Sequence, residues 1–555
     1  MATGIGLSKH ELHIRASIMT GLIFAVLSAL LMALSQLTSW GWLALVGYAP
    51  LIWATRHASP KQAFKLFFFA TVLQYMATLY WLMITMTVFG HMNLILSAFA
   101  LLLVTMVIAF YLGGAAALAR YISLKLGWSY FCLFPVALCL TEYLRDYGFI
   151  GSFPWGASGY SLLSIPVLVQ GASVVGVYGL VFYIGLVNSA IVSRNKTLIS
   201  VAISITLVLL SYGTWRLQTY DINSFKTVRV ALLQGNIEQG IKNQSALYGD
   251  EILARYRALQ NQAVAAGAEI VIWPESSYPY RLRVENPQFV SLGDLGPINI
   301  IPAIAEDSQD QFYNAAYVLN SHNEIMKRYD KSHLVPFGEY VPWPFGLVAK
   351  KIVPNLGEFS RGKDLKPVVL KGVSTAVTVC YEGVFPNISR NFVAQGAQLL
   401  INVTNDAWYG VSAGPYQHLN MYKMRSIETG RSFARATNTG VSAWVDPIGY
   451  THGDTGLYEE ALVVADVPLA TETTFYVRAG DFVPLFCGLI LLLVLIFIRR
   501  PQSKSDWLWA LLGLSIILAS HAYFEPLKLD LQESATTKDS LFLIIGFLLG
   551  LRVWK

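Results

Sequence analysis

Charged residues are scarce in this sequence. Asp, Glu, Lys and Arg together make up 13% of the 555 residues, whereas about 25% is usual in soluble domains. Hydrophobic residues make up 54%, and the mean hydropathy is +0.48, so we expect much of the chain to face lipid. The net charge of +6 is small and lies mostly in loops between apolar runs. That placement indicates membrane topology and argues against a nucleic-acid surface.

Cysteine is also rare, which excludes a disulfide framework. Cys132, Cys139 and Cys487 lie in long apolar runs, and only Cys380 lies in a segment polar enough for a water-soluble domain. The nine histidines are scattered, with no pair at metal-ligand spacing inside that polar segment. We therefore expect neither a metal nor another cofactor.

Apolar runs near the twenty residues needed to cross a bilayer are abundant. The first ends in Ala33-Leu34-Ser35-Gln36, which resembles a signal-peptide cleavage site, so removal of this run is an alternative. Its length favours a retained helix. Seven runs precede the polar segment, at about residues 15–35, 41–56, 64–85, 93–118, 127–146, 162–192 and 197–215.

Lys and Arg alternate between the loops that join these runs. The first and third loops, residues 35–40 and 87–93, carry none, whereas the second, fourth and sixth loops carry several: Arg56, Lys61, Lys65, Arg120, Lys125, Arg194 and Lys196. By the positive-inside rule the N-terminus is cytoplasmic, and seven crossings deliver the polar segment to the outer side.

An eighth run at about residues 482–498 follows the polar segment, and further apolar runs lie at about residues 506–523 and 540–553. We therefore predict four parts. They are a membrane domain with seven transmembrane helices (1–218), a polar catalytic domain (219–470), an eighth transmembrane helix (471–500) and a C-terminal extension (501–555).

The polar segment alternates between strand and helix patterns. Short apolar stretches predict strands, and residues 250–265 and 388–396 have helical spacing. This alternation predicts a layered α/β domain. The predicted strands are residues 227–234, 269–273, 298–301 (closed by Pro302), 374–379 and 398–403.

Three polar residues of this segment suggest chemistry. Cys380 follows an apolar strand and is a candidate nucleophile, with a buried structural cysteine as the alternative. Glu275 follows another strand and is a candidate general base, or else a surface acid. Lys331 lies in a loop with Glu339, where an ammonium lowers a thiol pKa and stabilises an oxyanion; the alternative is a solvated ion pair. The backbone N–H of Tyr381 is a further candidate oxyanion donor.

In order and spacing these residues resemble the Glu-Lys-Cys triad of the nitrilase superfamily. With seven helices before the domain and at least one after it, the chain resembles the membrane-embedded apolipoprotein N-acyltransferase family. The resemblance implies an α-β-β-α sandwich inserted in a polytopic α-helical membrane protein. It also implies catalytic Glu275, Lys331 and Cys380, supported by Tyr381, Glu339 and Glu382. Further matching stretches are residues 153–156, 234–237 and 402–410.

The resemblance implies an acyl transfer without a cofactor. An acyl chain would pass from a phospholipid, phosphatidylethanolamine, through a thioester on Cys380 to the α-amino group of a diacylglyceryl-cysteine on an apolipoprotein. The protein would be a monomer in the bacterial inner membrane, with its catalytic domain on the periplasmic side. Trp155 and Trp408 are candidate lipid contacts, or else ordinary packing residues. Arg145 is a candidate phosphate ligand, or else a snorkelling side chain.

Two features depart from the family pattern. Residues 238–244 lack the aromatic residue that follows the Gln-Gly-Asn-Ile turn in the family, and the runs beyond residue 501 exceed the usual eight helices. Two other functions stay open. One is a membrane-tethered amidase, which shares the triad. The other is a transporter or scaffold with a non-catalytic outer domain, which the scarcity of ionisable residues within the helices disfavours.

Overall fold

The computed structural model describes residues 9–146, 153–341 and 359–499. The apolar runs expected at 506–523 and 540–553 lie outside the described residues. Helices fill the first part of the chain. Their bounds are α1 Lys9–Leu37, α2 Ala44–Gly47, α3 Ala49–Thr55, α4 Pro60–Thr78, α5 Trp81–Ile84, α6 Leu94–Leu126, α7 Tyr130–Asp146, α8 Pro166–Val169, α9 Ala172–Val192 and α10 Lys196–Thr219.

Local sequence explains where several of these helices begin and end. Ser59 caps α4 through a capping box with Gln62, and Pro60 occupies the first turn, where its missing N–H costs nothing. Asn93 caps α6 by accepting from the backbone N–H of Leu96 at 2.8 Å. Gly127 ends α6 in the left-handed conformation, at φ 70°, which glycine adopts readily.

Four helical stretches among the described residues are long and apolar enough to cross a membrane: Met19–Leu37, Leu94–Leu126, Ala172–Val192 and Lys196–Thr219. A fifth is formed if Pro60–Thr78 and Trp81–Phe89 are counted together. Shorter apolar helices occupy Gly41–Thr55 and Phe482–Ile498. The protein is thus a polytopic helical membrane protein, as predicted, with helical segments at each of the apolar runs that the structure describes.

The run predicted as one helix at 64–85 is broken. Its two halves meet at an angle of 59°. The polar domain stabilises the break, because the Gln417 side chain accepts from the Trp81 indole at 3.0 Å and donates to the Thr78 carbonyl at 3.1 Å. These distant hydrogen bonds satisfy groups near the break, and no local sequence signal reveals them.

The polar domain contains two β-sheets. The first is seven-stranded, in the order β13-β1-β2-β4-β5-β6 with β3 beside β4, and the second is six-stranded, in the order β12-β11-β10-β9-β8-β7. The first strand pairs antiparallel with the last, from Thr227↔Pro468 to Gln234↔Ala461. The strands are β1 Thr227–Gln234, β2 Ile270–Ile272, β3 Leu282–Arg283, β4 Ile298–Glu306, β5 Phe312–Leu319, β6 Ile325–Asp330, β7 Val368–Leu370, β8 Val373–Val379, β9 Leu399–Thr404, β10 Ser432–Thr437, β11 Ala443–Val445, β12 Thr451–His452 and β13 Ala461–Pro468.

Side chains alternate along each strand between the two faces of its sheet, and this alternation builds the layers of the domain. On β1, Val230 and Leu232 face the core between the sheets, whereas Ala231 and Leu233 face helix α12, because successive side chains point to opposite faces. Helices α13 and α14 pack against the second sheet, and α15 and α16 follow the domain. The result is the predicted α-β-β-α sandwich. The remaining helices are α11 Gln239–Lys242, α12 Ser245–Ala265, α13 Pro386–Ala394, α14 Gly414–Thr429, α15 Phe475–Ala479 and α16 Phe482–Arg499.

The prediction that Pro302 closes a strand is wrong, because β4 continues to Glu306. The backbone nitrogen of Pro302 points to the side of β4 on which β2 has already ended. Its missing N–H therefore removes no hydrogen bond between strands. Its carbonyl instead accepts from the backbone N–H of Tyr278 at 3.1 Å. Helix α12 also begins earlier than predicted, at Ser245.

Candidate active site

Cys380 begins a tight turn at the end of the buried strand β8. The turn is a 3-10 helix, Cys380–Val384, and Cys380 adopts the left-handed conformation with φ at 50°, which is rare for a residue other than glycine. Its side chain is buried, with 7% of the residue exposed. The sequence therefore places one thiol at a constrained strand end, where backbone strain is often linked to function.

Glu275 lies just beyond β2 and is also buried. Its Oε1 accepts from Asn314 Nδ2 at 2.7 Å, and its Oε2 accepts from the backbone N–H of Asn405 at 2.9 Å. Lys331 Nζ lies 3.7 Å from Glu275 Oε1. The carboxylate is thus held between residues that follow or belong to three different strands.

Lys331 follows β6 and is 1% exposed. Its Nζ donates to Glu339 Oε1 at 2.8 Å. Burial opposes the positive charge, but the Glu339 carboxylate, the nearby Cys380 and the Glu275 carboxylate outweigh it and raise the pKa of Lys331. The side chain is therefore an ammonium held between the Glu339 and Glu275 carboxylates.

The surroundings of Cys380 favour the protonated thiol. Burial, and then the Glu275 carboxylate, raise the pKa of Cys380, while the Lys331 ammonium opposes them. A nucleophilic thiolate accordingly has to form with the help of a base when a substrate arrives. Glu275 is a carboxylate close enough to influence this thiol.

Glu339 and Glu382 support the site from two sides. Glu339 accepts from Lys331, from Asn314 Nδ2 at 3.0 Å and from the backbone N–H of Val335 at 2.8 Å. Glu382 accepts from the backbone N–H of Val379 at 2.8 Å. It also accepts from Tyr329 and from the loop after Lys331, through the backbone N–H groups of Ser332 and His333 and the Ser332 hydroxyl. Glu382 thus ties the lysine loop to the cysteine turn.

The other predicted residues lie around this centre. The Tyr381 ring is buried against Phe385, with centroids 5.0 Å apart. Trp155 is 1% exposed, and its indole N–H donates to Gln417 at 2.7 Å. Trp408 is 37% exposed and lies beside Phe89 of the bent membrane segment.

Arg145 lies on a helix in the first part of the chain. It belongs to the last turn of α7 in the membrane domain, where it is buried and donates to the Tyr75 hydroxyl at 2.7 Å. Its Nε and Nη2 have no hydrogen-bond partner among the described residues, but Nε lies 3.6 Å from the buried Asp146 carboxylate and forms an ion pair with it. The side chain is therefore enclosed, which differs from the snorkelling arrangement.

Several site residues were missed by the sequence reading. Asn314 lies on β5, which was not predicted, and its amide contacts both Glu275 and Glu339. Asn402 and Asn405 fall in the 402–410 stretch that was noted without roles. Tyr422, on α14, donates its hydroxyl to the Cys380 carbonyl. A polar residue at a strand end was the available signal for Asn405, and there was none for Tyr422.

The polar domain is a two-sheet sandwich of the carbon-nitrogen hydrolase type, and residues 229–475 match the carbon-nitrogen hydrolase family. Residues 28–190 match the apolipoprotein N-acyltransferase N-terminal domain.

Curated relatives extend this likeness to most of the chain. An apolipoprotein N-acyltransferase of Geobacter metallireducens is 34% identical over 510 residues, covering 86% of this chain and 95% of the relative. The enzymes of Haemophilus ducreyi (33% over 482 residues, 83% and 94%) and Shewanella oneidensis (32% over 488 residues, 82% and 90%) are similar. The chain belongs to the apolipoprotein N-acyltransferase family and is a membrane acyltransferase, so the resemblance noted in the sequence is confirmed.

Proposed function

We propose that Cys380 carries an acyl chain as a thioester between a phospholipid donor and an apolipoprotein acceptor. The donor is phosphatidylethanolamine, and the acceptor is the α-amino group of an N-terminal diacylglyceryl-cysteine. Glu275 acts as the base, while Lys331 and the Tyr381 N–H stabilise the oxyanion. Glu339 and Glu382 hold Lys331 and the cysteine turn in place. The enzyme acts as a monomer in the bacterial inner membrane, and its catalytic domain is on the periplasmic side.

In the first step Glu275 takes the proton from the Cys380 thiol, and the sulfur attacks the sn-1 ester carbonyl. The tetrahedral oxyanion forms beside the Lys331 ammonium. The ester C–O bond then breaks, and the proton on Glu275 passes to the leaving lysophospholipid oxygen. The products are a lysophospholipid and a thioester.

In the second step the acceptor amine attacks the thioester carbonyl, and Glu275 takes a proton from the amine. The C–S bond breaks, an amide forms, and the proton returns to the Cys380 sulfur. Neither step needs a group that the chain does not supply.

The observation that supports this proposal is a buried ammonium and a buried carboxylate close to each other, both of which act electrostatically on one buried thiol. Lys331 Nζ is 3.7 Å from Glu275. Burial and then the Glu275 carboxylate raise the pKa of Cys380, and the Lys331 ammonium lowers it. A base next to a thiol and a cation next to the same thiol are the two groups that acyl transfer requires.

The membrane domain supports lipid substrates. Extracting a lipid from the bilayer costs free energy in proportion to its apolar surface, and a site beside the membrane helices avoids that cost. Trp408, exposed beside the bent segment, is proposed to contact an acyl chain. Trp155, which packs on Tyr409, is proposed as a further lipid contact. The Arg145 guanidinium is proposed to bind the donor phosphate through Nη2, beside its ion pair with Asp146.

A thioester trap tests the proposal. Purified protein is incubated with phosphatidylethanolamine, and the peptide containing Cys380 is examined by mass spectrometry. We expect an acyl adduct that hydroxylamine removes and that disappears when a diacylglyceryl-cysteine peptide is added. Cys380→Ala should abolish the adduct, whereas Cys132→Ala, a matched change at an exposed cysteine, should preserve it.

Other outcomes would select the remaining alternatives. Hydrolysis of soluble amides without any lipid adduct would indicate a membrane-tethered amidase. Full biological activity of the Cys380→Ala variant would indicate that the outer domain is not catalytic.

A further inference from the structure

We propose that Tyr422 is a positioning residue for the nucleophile. Its hydroxyl holds the carbonyl of Cys380 and thereby aims the next peptide N–H at the oxyanion. This inference rests on the proposed acyl transfer and deepens it.

The backbone of Cys380 is the first observation. Its φ of 50° is a left-handed conformation that a β-carbon disfavours, so surrounding contacts have to maintain it. Two side chains donate to its carbonyl oxygen. They are the Tyr422 hydroxyl and Asn402 Nδ2, the latter at 3.3 Å.

Peptide planarity gives these two contacts a consequence in the site. The carbonyl of Cys380 and the N–H of Tyr381 belong to one trans peptide and point in opposite directions. Donors that fix the carbonyl on one side therefore fix the direction of the Tyr381 N–H on the other. An oxyanion donor stabilises charge only if its direction is set before the reaction.

The Tyr422 ring is itself held firmly. It is fully buried, and it packs between His418, with ring centroids 5.2 Å apart, and Phe433, at 5.1 Å. The ring also lies against Gly383, where a β-carbon would overlap it. Gly383 belongs to the same turn as Cys380, so the glycine allows the tyrosine to approach this closely.

Buried charges behind His418 fix its orientation in turn. Asp406 accepts from His418 Nδ1 at 3.0 Å and from Arg435 Nη2 at 2.7 Å. Burial opposes the charge of Asp406, but Arg435 and His418 outweigh it and hold the pKa of that carboxyl well below its usual range. The other ring nitrogen, His418 Nε2, lies 3.4 Å from the Tyr422 hydroxyl. A series of contacts thus connects Arg435 through Asp406, His418 and Tyr422 to the carbonyl of Cys380.

Tyr422→Phe tests the role, because it removes only the hydroxyl. Two rates are measured at Cys380: acylation by phosphatidylethanolamine, and alkylation by iodoacetamide, which needs the thiolate but no oxyanion donor. We expect the kcat of acylation to fall about ten- to a hundredfold while KM changes less than about threefold. Alkylation should stay within about twofold of the wild type.

Tyr130→Phe is the matched control. Tyr130 is buried in the membrane domain, and its hydroxyl is 2.9 Å from Thr55, so the change removes a comparable hydrogen bond far from Cys380. Both rates should match the wild type. Asn402→Ala removes the second donor to the Cys380 carbonyl, and it should also lower acylation while sparing alkylation.

Three outcomes would overturn the proposal: acylation by Tyr422→Phe unchanged, acylation and alkylation falling together, or acylation reduced equally in Tyr130→Phe. Should Tyr422→Phe not fold, the Asn402→Ala rates decide by the same criteria. The assay distinguishes failure of this proposal from failure of the proposed acyl transfer. If the acyl transfer were wrong, the wild-type protein itself would form no thioester.

Discussion

Replacing Asp406 by Asn should destabilise the catalytic domain strongly at neutral pH. Asp406 and Arg435 are buried with their side chains fully enclosed, and 2.7 Å separates their polar atoms. At this distance the direct attraction is about 6 kcal/mol for an effective dielectric constant of about 20. The net cost of removing one partner of a buried pair is about 3–5 kcal/mol, because the other charge stays buried without compensation.

Thermal unfolding in detergent, followed by tryptophan fluorescence, measures this cost. For a domain of this size about 1 kcal/mol corresponds to about 2–4 °C in Tm, so we expect a loss of about 6–20 °C at pH 7. The control is Asp466→Asn, which makes the same chemical change in an ion pair with Arg229 whose side chains are 56% and 45% exposed. That change should cost about 0–1 kcal/mol.

The pH dependence provides a second check. Since the pKa of Asp406 is held below its usual value, its carboxylate contributes full stability above the unfolded pKa of about 3.9 and loses it as the pH falls further. The difference in Tm between wild type and variant should be constant from about pH 5 to 8 and shrink below about pH 4. A loss no larger than that of Asp466→Asn, or a difference that persists unchanged in acid, would refute the reasoning.

Two further predictions concern the nucleophile and the membrane domain. Burial and then Glu275 raise the pKa of Cys380. The alkylation rate of Cys380 should therefore rise about tenfold per pH unit up to about pH 10, whereas the rate for free cysteine levels off above about pH 8.5. A rate that levels off below about pH 9 would contradict this prediction. In the membrane domain, Asn188 accepts from the backbone N–H groups of Tyr48 and Ala49 at 2.8 Å. Asn188→Leu should therefore lower the free energy of unfolding by about 2–4 kcal/mol, measured by thermal unfolding. The control, Asn195→Leu at an exposed helix cap, should lower it by about 1 kcal/mol.

The elements predicted from the sequence are those whose buried side chains are apolar. Strand β1 was placed at its observed bounds, 227–234, because an apolar run fills it. Glu275 and Cys380 were singled out because each follows such a strand, whereas Lys331 was singled out in a loop that Pro336 and Gly338 were expected to fix. Their proximity in space was supplied by the family resemblance, since spacing along the chain does not determine how strand ends converge.

Elements whose buried side chains are polar or charged and pair with one another were missed. Helix α14 contains Arg425 and Glu428, which are fully buried and 2.8 Å apart, so it shows no apolar stripe that a periodicity argument detects. Strand β6 includes Lys327 and Arg328 on a sheet edge and resembles a loop for the same reason. Tyr422 and Asn314 belong to unpredicted elements, and their roles were therefore out of reach.

The pairing of the first and last strands has a consequence for biogenesis. Strand β1 is made at the start of the polar domain, yet one of its two neighbours, β13, is the last of the described strands to be synthesised. Until then β1 offers an unpaired edge, and such edges invite pairing with other chains. Pairings between distant segments also form slowly. The nascent chain therefore passes through an interval in which a long apolar strand needs protection, and this interval ends only when the segment just before the apolar helix α16 has been made.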